Sequence, residues 1–170
     1  MEEKSFKELL HTVTTFVFDV DGVFTDGSLF LDDKGGLLRT MNVKDGYAVK
    51  FALNKGYNIA VISAGQNETV KQRLQGLGIQ DVYLNASDKV TCLNEIIAKY
   101  QLTKEQIVYM GDDLLDIPAM KCVGMPTCPQ DAVPEVKAHA RYISHKKGGK
   151  TCVRDIIEQV LKVRGDWLVF

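Results

Sequence analysis

The fold class follows from one stretch of the chain, Thr15-Phe-Val-Phe-Asp-Val-Asp-Gly-Val23. Residues 16–18 are aromatic or β-branched and do not alternate with polar residues, which is typical of a parallel strand covered on both faces. Asp19 and Asp21 follow at the expected carboxyl end of this strand, where open α/β sheets bind ligands. Because two adjacent carboxylates repel each other unless a cation or proton lies between them, the stretch predicts a divalent metal site. An acidic turn without a ligand would use the same residues.

Strands and helices alternate along the rest of the chain. Further strands are predicted at 58–63, 81–84, 107–110 and 142–144, and helices at 45–55, 68–75, 88–100, 133–138 and 152–163. A short amphipathic helix is expected near the N-terminus, and the proline-containing stretch after Val123 is assigned neither a helix nor a strand. This alternation predicts an α/β fold, a Rossmann-like three-layer parallel sheet with right-handed crossovers.

A β-hairpin is predicted to interrupt this alternation beside the first acidic pair. Two short apolar runs, 29–31 and 37–38, flank the turn sequence Asp-Asp-Lys-Gly-Gly at 32–36. The hairpin is an insertion of about residues 28–42 in a single domain that spans residues 1–170. Because an isolated hairpin is marginal in water, we expect it to pack on another surface.

Composition narrows the class of protein. The chain has 170 residues and a formal net charge of −1, so it offers no basic surface for nucleic acid or for an anionic membrane. Its four cysteines are scattered without metal-binding spacing, and the charged N-terminal segment has too few apolar residues for a signal peptide or a membrane span. We therefore expect a cytoplasmic protein with reduced thiols.

Polar residues from distant parts of the sequence are predicted to meet at one edge of the sheet. Asp19, Ser63 and Asp112 each end a predicted strand, and Lys89 begins the helix after another. Asp19 and Asp112 could hold Mg²⁺ while Lys89 and the Ser63 hydroxyl bind phosphate oxygens. One remaining carboxylate could then act as a nucleophile and another as general acid/base, so the pattern favours an aspartyl-phosphate intermediate. Taken singly, the lysine could be solvated, the serine a helix cap and the Gly-Asp-Asp at 111–113 a turn.

Four motifs resemble those of the haloacid dehalogenase superfamily of phosphohydrolases: Asp19-Val-Asp-Gly-Val, Ser63, Lys89 and Gly111-Asp-Asp-Leu-Leu-Asp116. Residues 19–27, 42–46, 111–116 and 147–150 are similar to the small capless members that hydrolyse 3-deoxy-D-manno-octulosonate 8-phosphate (KDO 8-phosphate). The resemblance implies a step of lipopolysaccharide biosynthesis.

The resemblance also implies roles for individual residues. Asp19 would be the nucleophile, Asp21 the acid/base and a metal ligand through its backbone carbonyl, and Asp112 the residue that completes the Mg²⁺ site. The substrate region would comprise Asn42, Val43, Lys44, Asp45, Gly46, Lys50, Ala64, Gly65, Arg73, Lys89 and Asp116. Similar capless phosphatases imply a homotetramer with hairpins paired at its centre. The apolar tail 167–170 has no evident place in the core of this chain, and we expect it to reach a neighbouring active site.

Some residues depart from this family's usual pattern. The second motif reads Ser63-Ala-Gly65, whereas these phosphatases usually read Thr-Gly-Arg and a related enzyme for the nine-carbon analogue (KDN 9-phosphate) carries glutamate at the last position. Lys44 and Lys50 stand where many relatives have arginine, which keeps the charge but loses the bidentate geometry. The sugar acid could therefore have eight or nine carbons.

Receiver domains of signalling proteins are an alternative of another class. They share a Rossmann-like sheet, an acidic pair, a Ser/Thr, a lysine and an aspartyl phosphate, but their phosphorylated aspartate ends the third strand. Here that strand runs into Leu84-Asn-Ala86, without an aspartate at its end. The positions of the acids therefore favour a phosphatase, although fold alone does not establish function.

Overall fold

A computed structural model describes residues 5–168 and contains a six-stranded sheet. Its strands, in spatial order, are β5 (Asp81–Tyr83), β4 (Asn58–Ile62), β1 (Thr15–Phe18), β6 (Ile107–Met110), β7 (Met125–Cys128) and β8 (Tyr142–Ile143). All neighbouring pairs in this sheet are parallel. The predicted α/β, Rossmann-like architecture is confirmed, and β1 lies inside the sheet with its carboxyl end at the point where the strand order reverses.

Helices cover both faces of the sheet. They are α1 (Phe6–Leu10), α2 (Val43–Asn54), α3 (Glu68–Gly76), α4 (Lys89–Tyr100), α5 (Ile117–Met120), α6 (Pro134–His139) and α7 (Cys152–Arg164). Phe16 and Phe18 point into one core with α1, α2, α3 and α7, whereas Val17 points into a second core with α4, α5 and α6. This alternation of side chains along a fully buried strand produces the three layers.

One strand was not predicted from the sequence. β7 contains Pro126, which lacks an amide hydrogen and normally argues against an interior strand. The strand nevertheless pairs with β6 on one side and β8 on the other, and the Pro126 carbonyl accepts a hydrogen bond of 2.8 Å from the amide of Arg141. Helix α2 also begins at Val43, two residues before its predicted start, because the Asn42 side chain caps its first turn.

The turn after β1 needs a glycine. Gly22 has φ +83°, and a Cβ on it would overlap the carboxylate of Asp112. The Lys-Gly-Gly-Lys motif packs on the same turn from outside: a Cβ on Gly148 would overlap the Gly22 carbonyl, and the Gly149 amide donates to the Val23 carbonyl at 2.9 Å. Close backbone packing therefore fixes the path of the chain around Asp19 and Asp21.

The predicted hairpin forms a separate two-stranded sheet of β2 (Phe30–Leu31) and β3 (Leu37–Leu38). The Asp32 carboxylate closes its turn by accepting hydrogen bonds from the amides of Lys34 and Gly36. Its five apolar side chains remain between 43% and 77% exposed in the single chain; they are Leu29, Phe30, Leu31, Leu37 and Leu38. Because Phe30 pairs with Leu38 and Leu31 with Leu37, the hairpin carries exposed apolar side chains on both of its faces.

The C-terminal segment has a place in the structure that the sequence did not indicate. Trp167 contacts Phe51 edge-on with ring centroids 4.9 Å apart, and the guanidinium of Arg154 lies 5.7 Å from the indole. The expectation that this tail has no place in the core is therefore wrong for Trp167, which packs at the edge of the first core. The last two residues of the tail, 169–170, lie outside the described residues.

Among residues 5–168, helices long and apolar enough to cross a membrane are absent.

Candidate active site

A buried lysine joins two carboxylates at the carboxyl edge of the sheet. Lys89, the first residue of α4, is 5% exposed, and its Nζ lies 3.0 Å from Oδ1 of Asp19 and 2.7 Å from Oδ1 of Asp116. Asp19 follows β1 directly and is 7% exposed. The structure therefore brings together side chains that are 70 and 27 residues apart in the sequence, as the strand ends predicted.

Asp116 organises the neighbouring loop. Its Oδ1 also accepts from the Tyr109 hydroxyl at 2.8 Å, and its Oδ2 accepts from the amides of Asp112 and Asp113 at 3.0 and 3.3 Å. Asp116 is 1% exposed, so these hydrogen bonds compensate the burial of its charge. Its carboxylate therefore positions Lys89 and the Asp112 loop.

The acidic cluster fits a divalent cation. One carboxylate oxygen from each of Asp19, Asp112 and Asp116 lies within 4.8 Å of the others. Burial, together with the nearby charge of Asp116, raises the pKa of Asp19 from 3.8 to about 7 despite Lys89. Burial and the charge of Asp19 likewise raise the pKa of Asp112 to about 7. Because Asp116 already accepts four hydrogen bonds, Asp19 and Asp112 are the better candidate ligands for a hard cation.

These groups surround a cavity of about 280 Å³. Its lining residues are Asp19, Asp21, Gly27, Ser63, Ala64, Gly65, Lys89, Asp112, Asp113, Leu115 and Asp116. Ser63 follows β4 and is 3% exposed, and its Oγ accepts a hydrogen bond of 3.2 Å from the Gly65 amide. The hydroxyl hydrogen of Ser63 is thus left to donate to a ligand in the cavity.

Arg39 is a member of this site that the sequence analysis missed. It follows β3, and its Nε and Nη2 donate to Oδ1 and Oδ2 of Asp21 at 2.7 and 3.0 Å. One signal was available: Arg39 is the single cation between Lys34 and Lys44, in an apolar hairpin next to the first acidic motif.

The predicted substrate residues that line a cavity are divided between the cavity of about 280 Å³ and a second one of about 400 Å³, which lies between the hairpin and α3. Val43, Arg39 and Arg73 line it. A Cβ on Gly46 would lie 3.0 Å from Nη2 of Arg73, so the glycine leaves room for that side chain. Asn42 caps α2 beside this cavity.

Five predicted substrate residues do not line either cavity; besides Asn42 and Gly46, they are Lys44, Asp45 and Lys50. Lys44 and Lys50 are exposed on α2, so they are available only to a ligand or surface outside this chain's own cavities. Asp45 is fully buried, and its Oδ1 accepts a hydrogen bond of 2.7 Å from the amide of Arg154 near the start of α7. Substrate contact by Asp45 therefore does not agree with its position, because its carboxylate is used to cap a helix.

Comparison with known proteins indicates the family of this chain. A model of the haloacid dehalogenase-like hydrolases matches residues 75–151. The KDO 8-phosphate phosphatase of Yersinia pestis is 34% identical over 149 residues, which cover 88% of this chain and 80% of that protein. A crystal structure of the Yersinia pestis enzyme superposes with a TM-score of 0.92 at 31% identity and covers 94% of this chain and 86% of that one.

A further solved structure contains ligands. The KDO 8-phosphate phosphatase of Moraxella catarrhalis was crystallised with a magnesium ion, a phosphate ion and a KDO molecule. It superposes with a TM-score of 0.91 at 27% identity, covering 94% of this chain and 92% of that one.

These matches also exclude the receiver-domain alternative. β5 ends at Tyr83 and is followed by Leu84 and Asn85, so the chain has no acceptor aspartate where a receiver domain requires one. The nearby acids lie instead at the ends of β1 and β6. The chain therefore belongs to the haloacid dehalogenase-like hydrolases, and it is a phosphatase of the capless group.

Proposed function

We propose that this phosphatase is a Mg²⁺-dependent phosphomonoester hydrolase that acts through an aspartyl phosphate on Asp19. The observation that carries the proposal is the contact between Lys89 and Asp19. A buried ammonium group 3.0 Å from a carboxylate oxygen, beside a cavity of about 280 Å³, places positive charge where a phosphoryl group would meet a nucleophile.

The roles of the residues follow from their positions. A carboxylate oxygen of Asp19 attacks phosphorus, while Lys89 and the Ser63 hydroxyl bind the phosphoryl oxygens. Asp21 donates a proton to the leaving alcohol and later accepts one from the water that hydrolyses the aspartyl phosphate. A divalent cation held by Asp19, Asp112 and the Asp21 carbonyl would supply charge neutralisation between the phosphoryl group and the carboxylates.

We propose KDO 8-phosphate as the substrate, and hence a step of lipopolysaccharide biosynthesis. The support is the similarity to phosphatases named for this substrate over most of the chain. KDN 9-phosphate is retained as a second candidate, because Gly65 matches neither the arginine nor the glutamate expected at that position.

The proposed substrate is tested by measuring kcat/KM for KDO 8-phosphate, KDN 9-phosphate and simple hexose phosphates. We expect the eight-carbon acid to be preferred, activity to disappear in a chelator and return with Mg²⁺, and vanadate to inhibit by occupying the phosphoryl position. A preference for hexose phosphates would contradict the substrate assignment and leave the phosphatase chemistry intact. Full activity of metal-free protein would contradict the proposed role of Mg²⁺.

We also propose a homotetramer in which the hairpins pair at the centre and wall the neighbouring active sites. The exposed apolar side chains of β2 and β3 support this, because burying them in water-excluding contacts is favourable. Water exclusion would also strengthen the electrostatic interactions at the cavity. A cytoplasmic location stays a prediction, to which the free thiols of all four cysteines conform.

A further inference from the structure

Arg39 holds Asp21 with a two-point contact. Its Nε and Nη2 lie 2.7 and 3.0 Å from the two carboxylate oxygens, and its side chain is 7% exposed while that of Asp21 is 37% exposed. A planar guanidinium in this geometry fixes both the position and the plane of the carboxylate, which a single hydrogen bond cannot do.

The other end of the guanidinium is tied to the hairpin. Nη1 of Arg39 donates to the carbonyl of Leu37 at 3.0 Å, and the Asn67 side-chain amide donates to the same carbonyl at 3.0 Å. Asn67 is itself the N-cap of α3 and accepts from the Val70 amide at 3.0 Å. The contacts therefore form a continuous path from α3 through β3 to Asp21.

Gly65 lies directly beside this arrangement. A Cβ at this position would lie 3.4 Å from Oδ2 of Asp21 and 3.6 Å from Nη2 of Arg39, so a longer side chain would begin in contact with both groups. Each oxygen of a carboxylate has two acceptor directions. Oδ1 of Asp21 accepts from Arg39 and also from the Thr25 hydroxyl at 3.4 Å, whereas Oδ2 accepts from Arg39 and keeps a second acceptor direction beside the cavity that Asp21 lines.

We propose that Arg39 is a positioning residue that aims the Asp21 carboxyl group at the leaving oxygen. The inference rests on the proposed function in one respect, the assignment of Asp21 as general acid. In that step a bond forms between an Asp19 oxygen and phosphorus, the bond from phosphorus to the leaving oxygen breaks, and that oxygen takes the proton of Asp21. Arg39 then faces the carboxylate that remains, and the hairpin is thereby coupled to proton transfer.

Leaving groups of different basicity test the proposal. Propyl phosphate needs a proton on its leaving oxygen, whereas p-nitrophenyl phosphate releases a stable anion, and neither carries a carboxylate. For Arg39→Gln we expect kcat/KM, which reports formation of the aspartyl phosphate, to fall about 100-fold on propyl phosphate but less than about 5-fold on p-nitrophenyl phosphate. Asp21→Asn should show the same pattern, and the double variant should lose little more than either single variant.

Two further variants separate positioning from charge and from folding. Arg39→Lys keeps the charge but not the two-point contact, so its loss on propyl phosphate should be about 10-fold. Lys34→Gln removes a cation from the turn of the same hairpin and should leave both rates unchanged. Light scattering and circular dichroism are recorded for each variant, and Arg39→Lys serves as the test if Arg39→Gln does not fold.

Several outcomes would overturn the inference. Equal losses on both phosphates, or additive losses in the double variant, would show that Arg39 does not act through Asp21. A loss on KDO 8-phosphate, which carries a carboxylate, without a loss on either of these two phosphates would show that Arg39 binds substrate instead. If Asp21→Asn itself shows no dependence on the leaving group, the general-acid assignment of the proposed function is wrong. If the loss in Asp21→Asn depends on the leaving group but the losses in the Arg39 variants do not, only the positioning role of Arg39 is overturned.

Discussion

The ammonium group of Lys89 lies between two buried carboxylates, 3.0 Å from Asp19 and 2.7 Å from Asp116. The two acids differ in what else they contact. Both line the cavity, but Asp116 is 1% exposed and is held by the Tyr109 hydroxyl and two backbone amides, whereas Asp19 lacks those contacts and is the more exposed of the two. One acid therefore orients the lysine and the other is available for chemistry.

Replacing Asp19 with asparagine should abolish turnover without unfolding the protein. The amide cannot attack phosphorus, so we expect kcat to fall by roughly 10⁴-fold or more. Because the change also removes a buried charge that burial and Asp116 disfavour, the metal-free variant should melt at a higher temperature than the parent. Steady-state kinetics and thermal denaturation in chelator check both expectations. Near-normal activity would exclude Asp19 as the nucleophile.

Replacing Asp116 with asparagine should cost both stability and activity. Removing one partner of a buried ion pair leaves Lys89 with only Asp19, and we expect a loss of about 3 kcal/mol in the free energy of unfolding. Urea denaturation measures it. Asp113→Asn is the matched control, because Asp113 is exposed and asparagine retains the oxygen that accepts from the Leu114 amide. Equal stability of the two variants would contradict the positioning role of Asp116.

Metal-free protein should lose stability as the pH rises toward about 7. Asp19 and Asp112 have folded-state pKa values raised from 3.8 to about 7, so their stabilising contribution is full below pH 3.8 and is lost as both ionise. We expect the melting temperature in chelator to fall between about pH 4 and pH 7 and to level off above that, and Mg²⁺ to restore it at the higher pH.

A buried acid outside the acidic cluster provides the control for this pH dependence. Burial raises the pKa of Asp45 to about 6, and that carboxylate lies near α7, away from the acidic cluster. The pH dependence that Asp45 gives to the melting temperature should persist in Mg²⁺, whereas the pH dependence due to Asp19 and Asp112 should disappear. A melting temperature that does not respond to Mg²⁺ at pH 8 would contradict a cation site at the cluster.

Charged residues on the hairpin should disrupt the proposed assembly. The side chains of Phe30 and Leu31 are 62% and 77% exposed in the single chain, so Phe30→Asp and Leu31→Asp should each still fold. The added carboxylate should shift the mass measured by light scattering toward that of the monomer. Lys34→Asp changes charge in the same turn without removing apolar surface and should keep the assembly. A parent protein that is a fully active monomer would rule out a shared active site.

Two deletions separate the roles of the C-terminal segment. Removing 165–170 eliminates the contact of Trp167 with Phe51 and the 2.6 Å hydrogen bond that the Tyr57 hydroxyl donates to Asp166. This deletion should therefore lower stability as well as activity. Removing only 169–170 spares those contacts. If the end of the tail reaches a neighbouring active site, the short deletion should raise KM without changing the melting temperature. Unchanged kinetics would rule out that role.

Local pattern was sufficient for most of the fold and for the principal residues of the site. Neighbouring residues specify the continuous apolar strand before Asp19, the alternation of strands and helices, and the polar residues at successive strand ends. A parallel sheet then necessarily brings those strand ends to one edge. Asp19, Ser63, Lys89 and Asp112 were therefore placed together from the sequence alone.

Contacts between distant segments decided the features that the sequence did not predict. β7 forms because strands on both sides accept Pro126, and Asp45 is buried because α7 needs a cap there. The pairing of Arg39 with Asp21 depends on how a hairpin with little structure of its own folds back over the end of β1. Nothing in the neighbouring residues specifies these contacts, because each depends on the packing of chain segments that are far apart in the sequence.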